Sequence, residues 1–240
     1  YVNYVLLDQK DKEYLWPYSM PYLPNKDSAQ DISIADYGTS NIGKMKKVYR
    51  QGLVNRYGKP MQMISGLHYN FSFPEELILA LGELEDIPKD EHLTLERALI
   101  TQRYLGVFRN FLQYQWIIPF LFGASPICFD GSLYRVSKPS FLDKKYKNLL
   151  YSDFATSLRL SDIGYQNKSQ AHLQVGTNKI SNYATSLLHA TELPYSDFER
   201  FPIKDENGEY QQLSSSLLQI ENEFYSTIRP KAIPKDGARP

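Results

Sequence analysis

Apolar residues at Ile42, Met45, Tyr49 and Leu53 recur at three- and four-residue intervals, the spacing that lines one side of an α-helix. Ser40 or Asn41 can cap the start of this helix, and Gly58 with Pro60 beyond it supplies the stop. The period then changes to two. Met61, Met63, Leu67, Tyr69, Phe71 and Phe73 fall on one side, and Gln62, Gly66, His68, Asn70 and Ser72 on the other, which predicts a strand with one buried and one polar face. Ile100, Tyr104, Val107, Phe111 and Tyr114 predict a long amphipathic helix ending before Pro119. Residues 129–148 form a polar, basic stretch of weak pattern. A second strand is expected over Phe154 to Leu160, where Leu158 and Leu160 alternate with Ser157 and Arg159. Ile180, Tyr183, Ala184, Leu187 and Leu188 predict a further helix, and Asn207-Gly208 between Ile203 and Tyr210 a two-residue hairpin turn. A last strand is expected from about Leu217 to Tyr225, with Gln219, Glu221, Glu223 and Tyr225 on one face. Near the start, Val2, Val5 and Leu6 have helical spacing, before the two prolines of Trp16-Pro17-Tyr18-Ser19-Met20-Pro21 force an extended course. Residues 229–240 read as an exposed end.

Three strands with polar faces, in a chain of 240 residues that is 42% hydrophobic, give enough apolar mass for a core and leave Gln, His, Arg and Glu side chains facing outward. Such faces fit two readings, the floor of a ligand cleft or a sheet that has water on one side. The 27 basic and 27 acidic residues cancel, so no broad field draws a nucleic acid or an anionic membrane. A single cysteine, Cys128, excludes an internal disulfide framework and a multi-thiolate zinc site, and fits a cytoplasmic setting; between Ile127 and Phe129 it reads as a packed small hydrophobe. No apolar run reaches eighteen residues. The chain opens on Tyr1 without the order of a signal peptide, so the native start is expected upstream.

The common short signatures for nucleotide and hydrolase chemistry are missing: there is no P-loop, no G-x-G-x-x-G, no H-E-x-x-H and no nucleophile elbow. His68 beside Gln62 and Asn70 reads as a metal ligand or, more commonly for a lone histidine, as a hydrogen-bonded structural residue. Glu221 and Glu223, two apart on the expected strand, read as a pair able to share a hard cation such as Mg2+ or as a solvated edge. Arg159, among small and apolar neighbours, needs an anionic partner, whether a local carboxylate or a substrate carboxylate or phosphate.

A chain of longer motifs goes further. Trp16-Pro17-Tyr18-Ser19-Met20-Pro21, Tyr37-Gly38-Thr39-Ser40-Asn41, Tyr49-Arg50 through Asn55-Arg56-Tyr57-Gly58, and Ser65-Gly66-Leu67-His68-Tyr69-Asn70-Phe71-Ser72 stand in one order. They are followed by Pro119-Phe120-Leu121-Phe122-Gly123-Ala124-Ser125-Pro126, Ala155-Thr156-Ser157-Leu158-Arg159-Leu160-Ser161-Asp162, Gly164-Tyr165 with Asn167-Lys168-Ser169, and Leu218-Gln219-Ile220-Glu221-Asn222-Glu223 through Ile228-Arg229-Pro230-Lys231. In this order they resemble the glutamate–cysteine ligase family of enteric-bacterial type over nearly the whole chain.

The resemblance implies an α+β, glutamine synthetase-like fold, a curved antiparallel sheet with helices packed outside. Residues 1–240 would be the central part of a single catalytic domain, incomplete at both ends. It implies a cytoplasmic enzyme that uses ATP with Mg2+ to phosphorylate the γ-carboxylate of glutamate and then lets the amine of cysteine displace phosphate. Its partners would be these small molecules, with no nucleic acid and no membrane. Carried over residue by residue, His68 resembles the family's histidine among the metal ligands, and Arg159 the arginine that contacts glutamate and the transferring phosphoryl group. Tyr165 and Tyr225 resemble the tyrosines that hold the cysteine carboxylate, Tyr49, Leu53 and Gln62 resemble residues lining the cysteine pocket, and Arg50 and Arg229 resemble nucleotide contacts. The family's main magnesium carboxylates are expected upstream of Tyr1, with a Glu-x-Arg motif downstream of Pro240. A fused parent that also carries glutathione synthase, and a non-catalytic module or fragment built on the same framework, are the alternatives.

Overall fold

The computed structural model describes residues 16, 18–82, 94–133, 138–161, 163 and 168–231. Its architecture is α+β with most of the regular structure in helices. In chain order these are α1 (Lys26–Gln30), α2 (Asn41–Tyr57), α3 (Lys59–Met63), α4 (Glu75–Gly82), α5 (Leu95–Tyr114), α6 (Ile117–Phe122), α7 (Ile180–Glu192) and α8 (Ser196–Glu199). Strands β1 (Ile127–Phe129), β2 (Lys144–Tyr146) and β3 (Leu149–Tyr151) form an antiparallel sheet in the order β1-β3-β2. Cys128 lies opposite Leu150, and Lys145 opposite Leu150 from the other side.

Helix α2 forms as its caps dictate. The Ser40 side chain accepts the Gly43 N–H, and Gly58, at φ 84°, leaves the helix while donating its N–H to the Val54 carbonyl. The buried side differs from the expected stripe. Ile42 and Met45 are exposed, whereas Gly52, Leu53, Val54 and Arg56 are buried. In α5, too, the buried residues are Ala98, Leu99, Leu105 and Phe108, while Val107 and Tyr114 face outward. Several apolar residues on each helix compete for the core, and the neighbouring elements choose among them. Helix α7 packs as expected through Tyr183 and Leu187. The 203–210 turn also forms, as a longer loop than expected: Gly208, at φ 80°, donates its N–H to the Asp205 carbonyl, and Lys204 bridges Tyr210.

The three expected strands do not form. Met61 to Met63 complete α3, and residues 64–73 run extended with no ladder partner among the described residues. Leu67, Tyr69 and Phe71 of this segment are exposed, so the two-residue period is present without a buried face. Leu158–Leu160 is a 3-10 turn joined to the fold by one parallel bridge, Ser125 to Ser157. Glu221–Glu223 is also a 3-10 turn. Alternation over a few residues does not by itself fix an extended backbone, since two of these segments curl into 3-10 turns, and a strand needs in addition a neighbour's N–H and C=O groups. The sheet that does form has only β2 inside the 129–148 stretch of weak pattern, with β1 and β3 at its two ends, and its three-residue strands are too short to show a period.

Two apolar cores hold these elements. One gathers Met20, Ile64, Cys128, Leu142, Leu150 and Leu158 around the sheet, and the other joins Phe108 of α5 to Tyr183, Leu187 and Ala190 of α7 and to Leu217 and Leu218. Between α2 and the chain after residue 211 lies a buried polar node. The Arg56 guanidinium, with no side-chain exposure, pairs with Glu223 at 3.1 Å. It also donates to the side chain of Gln212 and the carbonyls of Ser214 and Leu217, and its plane lies 4.2 Å from the Phe198 ring centroid. The Glu223 carboxylate accepts in addition the Tyr57 hydroxyl at 2.7 Å and the Gln219 N–H at 2.6 Å. Burial, and then the adjacent Glu223 charge, push the Tyr57 hydroxyl well above the ordinary phenol range, so it stays a donor.

Replacing one partner strands the other charge in the interior. Glu223→Ala is expected to cost about 3–5 kcal/mol in urea unfolding, while the apolar pair Arg56→Met with Glu223→Leu recovers a large part of it; equal losses for the single and the double variant would contradict this account. Cys128 gives an independent check on the sheet core. Burial, and secondarily Asp130, push its thiol up to about 12 from 9.0. The folded state therefore holds the thiol proton where the unfolded state releases it, and this group's share of stability falls as pH rises from about 9 towards about 12. At pH 8 the native thiol is expected to resist a disulfide reagent that titrates it fully in urea.

Candidate functional site

The residues singled out from the sequence fall into three neighbourhoods. The first is built by α2 and α3, which the Gly58 bend joins directly. Tyr49 and Leu53 stand one turn apart on α2, and Leu53 is buried, 7% exposed. The Gln62 side-chain amide of α3 donates to the Arg50 carbonyl at 3.3 Å, which fastens the two helices together. A cleft of about 230 Å3 opens beside them, with Arg50, Lys59, Tyr37 and Gln62 as its polar wall and Ile32, Ile34 and Val54 as its apolar one. Arg50 and Gln62 therefore share a concave surface, whereas Tyr49 and Leu53 do not line it. The Lys59 ammonium is tied to the Gln30 carbonyl at 2.7 Å, so it is held on the α1 side.

The second neighbourhood is the crossing of residues 64–68 with the 3-10 turn that carries Arg159. Ser125 fixes that turn, because it accepts the Leu158 N–H through its carbonyl, and its hydroxyl accepts the Ser19 N–H at 2.7 Å. The half-buried Arg159 side chain then reaches across to donate to the Ile64 carbonyl at 3.1 Å. Its guanidinium lies flat against Gly66, where a Cβ would come within 2.4 Å of its Cζ and Nε atoms. Gly66 is thus required for close approach, and Arg159 is brought alongside the segment that continues to His68. His68 itself is exposed on extended chain.

The third neighbourhood holds Tyr225 and Arg229. The Tyr225 N–H donates to the Gln170 side-chain carbonyl at 3.0 Å, and the amide of the same Gln170 donates to the Glu223 carbonyl. Arg229 donates to the Asn222 side chain at 3.4 Å and lies against the Tyr183 hydroxyl. Burial raises that hydroxyl's pKa, and the Arg229 charge opposes the shift. Tyr165 lies outside the described residues.

The expected pairing of Glu221 with Glu223 on one cation does not occur. In the 3-10 turn Glu221 points to solvent and Glu223 inward, where Arg56, Tyr57 and the Gln219 N–H occupy its carboxylate. Among the described residues no three His, Cys, Asp or Glu side chains gather at one point. The single imidazole of His68 does not by itself match Mg2+, which takes an oxygen-rich octahedral set. Arg56, Gln212 and Gln219 form the buried node although no periodic pattern in the sequence gave Arg56 or Gln212 a role. The signal was present: an arginine follows Gly52-Leu53-Val54 on the buried side of a helix, and such a cation needs an acidic partner elsewhere in the chain.

Comparison with known proteins gives the family. The family model described as glutamate–cysteine ligase matches residues 2–240. A glutamate–cysteine ligase of Pseudomonas aeruginosa is 46% identical over 231 residues, 96% of this chain and 42% of that protein. One from Baumannia cicadellinicola is 44% identical over 229 residues, 95% of this chain and 42% of that protein. The crystal structure of the Francisella tularensis glutamate–cysteine ligase in complex with AMP superposes with a TM-score of 0.77 at 40% identity, over 92% of this chain and 41% of that one. The chain thus spans about two fifths of the length of the relatives it matches. With a family model matched over residues 2–240 and a backbone that superposes on a solved member over 92% of the chain, this chain belongs to the glutamate–cysteine ligase family.

Proposed function

We propose that this chain is the central part of a catalytic domain that joins glutamate to cysteine at the expense of ATP, the first step of glutathione synthesis, in the cytoplasm. The observation that carries this reading is the family match over residues 2–240 together with 46% identity to a glutamate–cysteine ligase. ATP use is supported by the AMP held in the Francisella tularensis relative. In the proposed reaction a γ-carboxylate oxygen of glutamate attacks the terminal phosphorus of ATP and ADP leaves. The uncharged amine of cysteine then attacks the acyl carbon, phosphate leaves with the C–O electron pair, and the amine gives up its proton. Phosphorylation turns a poor electrophile into a reactive one, and the protein acts mainly by positioning and fixed charge.

Arg159 is the residue for that charge. Its guanidinium is placed by the Ile64 carbonyl and made accessible by the bare Cα of Gly66, so it can face the phosphoryl oxygens without first being ordered. Arg50, on the cleft beside α2 and α3, and Arg229 are assigned to the nucleotide phosphates. Tyr49, Leu53, Gln62, Tyr165 and Tyr225 are assigned to cysteine. His68 is assigned as a metal ligand. The described residues do not complete a magnesium site around it. The run 64–73, which has no ladder partner among the described residues and carries Leu67, Tyr69 and Phe71 outward, is assigned to the larger curved sheet of a glutamine synthetase-like domain.

The test uses the protein expressed from its complete reading frame. ADP release that requires both glutamate and cysteine supports the proposal, and its absence from a folded, ATP-binding sample overturns it. Arg159→Ala is expected to lower kcat by about 100-fold or more, the scale of one lost transition-state donor, with a melting temperature close to that of the parent. An activity loss that merely follows the loss of folded protein would make Arg159 structural.

A further inference from the structure

The outer wall of the buried polar node is a single side chain, Gln219, laid across the middle of α2. Its amide nitrogen donates to the Tyr49 carbonyl at 3.3 Å, and its oxygen accepts the Leu213 N–H at 3.0 Å. Its backbone N–H is held by Glu223 at 2.6 Å, so both ends of the residue are fixed. The contact is made at Gly52, where a Cβ would stand 2.0 Å from the Gln219 side-chain oxygen. A glycine inside a long helix costs about 0.5–1 kcal/mol relative to alanine. Here it gives Gln219, 6% exposed, a seat on the turn between Tyr49 and Leu53. At its other end the same node reaches Tyr225, through the Glu223 carbonyl, the Gln170 side chain and the Tyr225 N–H.

We infer that Gln219, seated on Gly52, is a positioning residue for the cysteine subsite: it sets the turn of α2 that carries Tyr49 and Leu53 in register with the segment that carries Tyr225. The inference rests on the proposed assignment of those three residues to cysteine. Gln219 touches the backbone that presents them, so its effect falls on how well a preformed subsite fits cysteine. Glutamate and the nucleotide are assigned to other residues. A fixed seat also removes the ordering that α2 and the 219–225 segment would otherwise undergo on binding.

The test compares Gly52→Ala, Gln219→Ala and the double variant in the protein from its complete reading frame, with KM for each substrate, kcat and melting temperature. Gly52→Ala leaves the Arg56–Glu223 pair in place and forces the Gln219 amide off its seat, and the better helix former offsets part of the lost hydrogen bonds, so the melting temperature falls only modestly. The KM for cysteine is expected to rise about tenfold in either single variant, with kcat and the KM values for glutamate and ATP within about twofold. The double variant should be no worse for cysteine than a single one, because both changes remove one and the same contact. A parental cysteine KM in folded Gly52→Ala, or a uniform change in all three KM values, overturns the inference and leaves the ligase reading standing. A parent protein without cysteine-dependent ADP release overturns both.

Discussion

The Arg56–Glu223 pair joins positions 167 residues apart in the sequence, and it does so where neither group meets water. Desolvating two charges costs several kcal/mol for each ion, and the arrangement is stable only because each remaining donor or acceptor finds a partner. Gln212, Ser214, Leu217, Tyr57 and the Gln219 N–H supply them. Residues 212–231 have little regular structure of their own, so their course is dictated by these groups and by the adjoining Leu217 and Leu218. An apolar interface would tolerate sliding by a fraction of a turn. A guanidinium that must meet four acceptors at once does not.

From that junction the rest of the arrangement follows. Helix α2 is pinned at its C-terminal half, Gly58 turns the chain into α3, and α3 delivers residues 64–68 beneath Arg159. The sheet core fixes the other side, since Ser125, just before β1, holds the turn that bears Arg159. The three neighbourhoods of candidate residues are thus attached to one frame through short, saturated hydrogen-bond links. Preorganised charge at a phosphoryl-transfer centre needs such a frame, because a guanidinium that must first be ordered loses in entropy what it gives in attraction.

The large apolar surface along residues 67–73 and α6 belongs to the same picture. Phe120, Leu121 and Phe122 stand outward on α6, and Leu67, Tyr69 and Phe71 do so on the run beside Arg159. Large apolar side chains left exposed in numbers are the kind that contact with further protein covers. A chain that spans about two fifths of the relatives it matches is consistent with such a neighbour.

Much of the local structure was legible from residues alone. Caps and breakers are local chemistry, so Ser40, Gly58 and Gly208 marked the start of α2, its end and the 203–210 turn without help from the rest of the chain. The motif series identified the family for a similar reason, as each word keeps residue types that its chemistry needs at fixed spacing. What required the tertiary structure was every choice among equivalent local options. A two-residue alternation in 61–73 and 217–225 left the backbone open: 61–63 closes a helix, 221–223 is a 3-10 turn, and hydrogen-bond partners decide whether an alternating chain becomes a strand. Glu221 and Glu223 look alike in sequence, and only a buried guanidinium arriving from α2 made one an interior ion and left the other in water. Local spacing determined the helices and the likeness to the ligases; long-range desolvation and pairing decided which faces were buried and which charges were consumed inside.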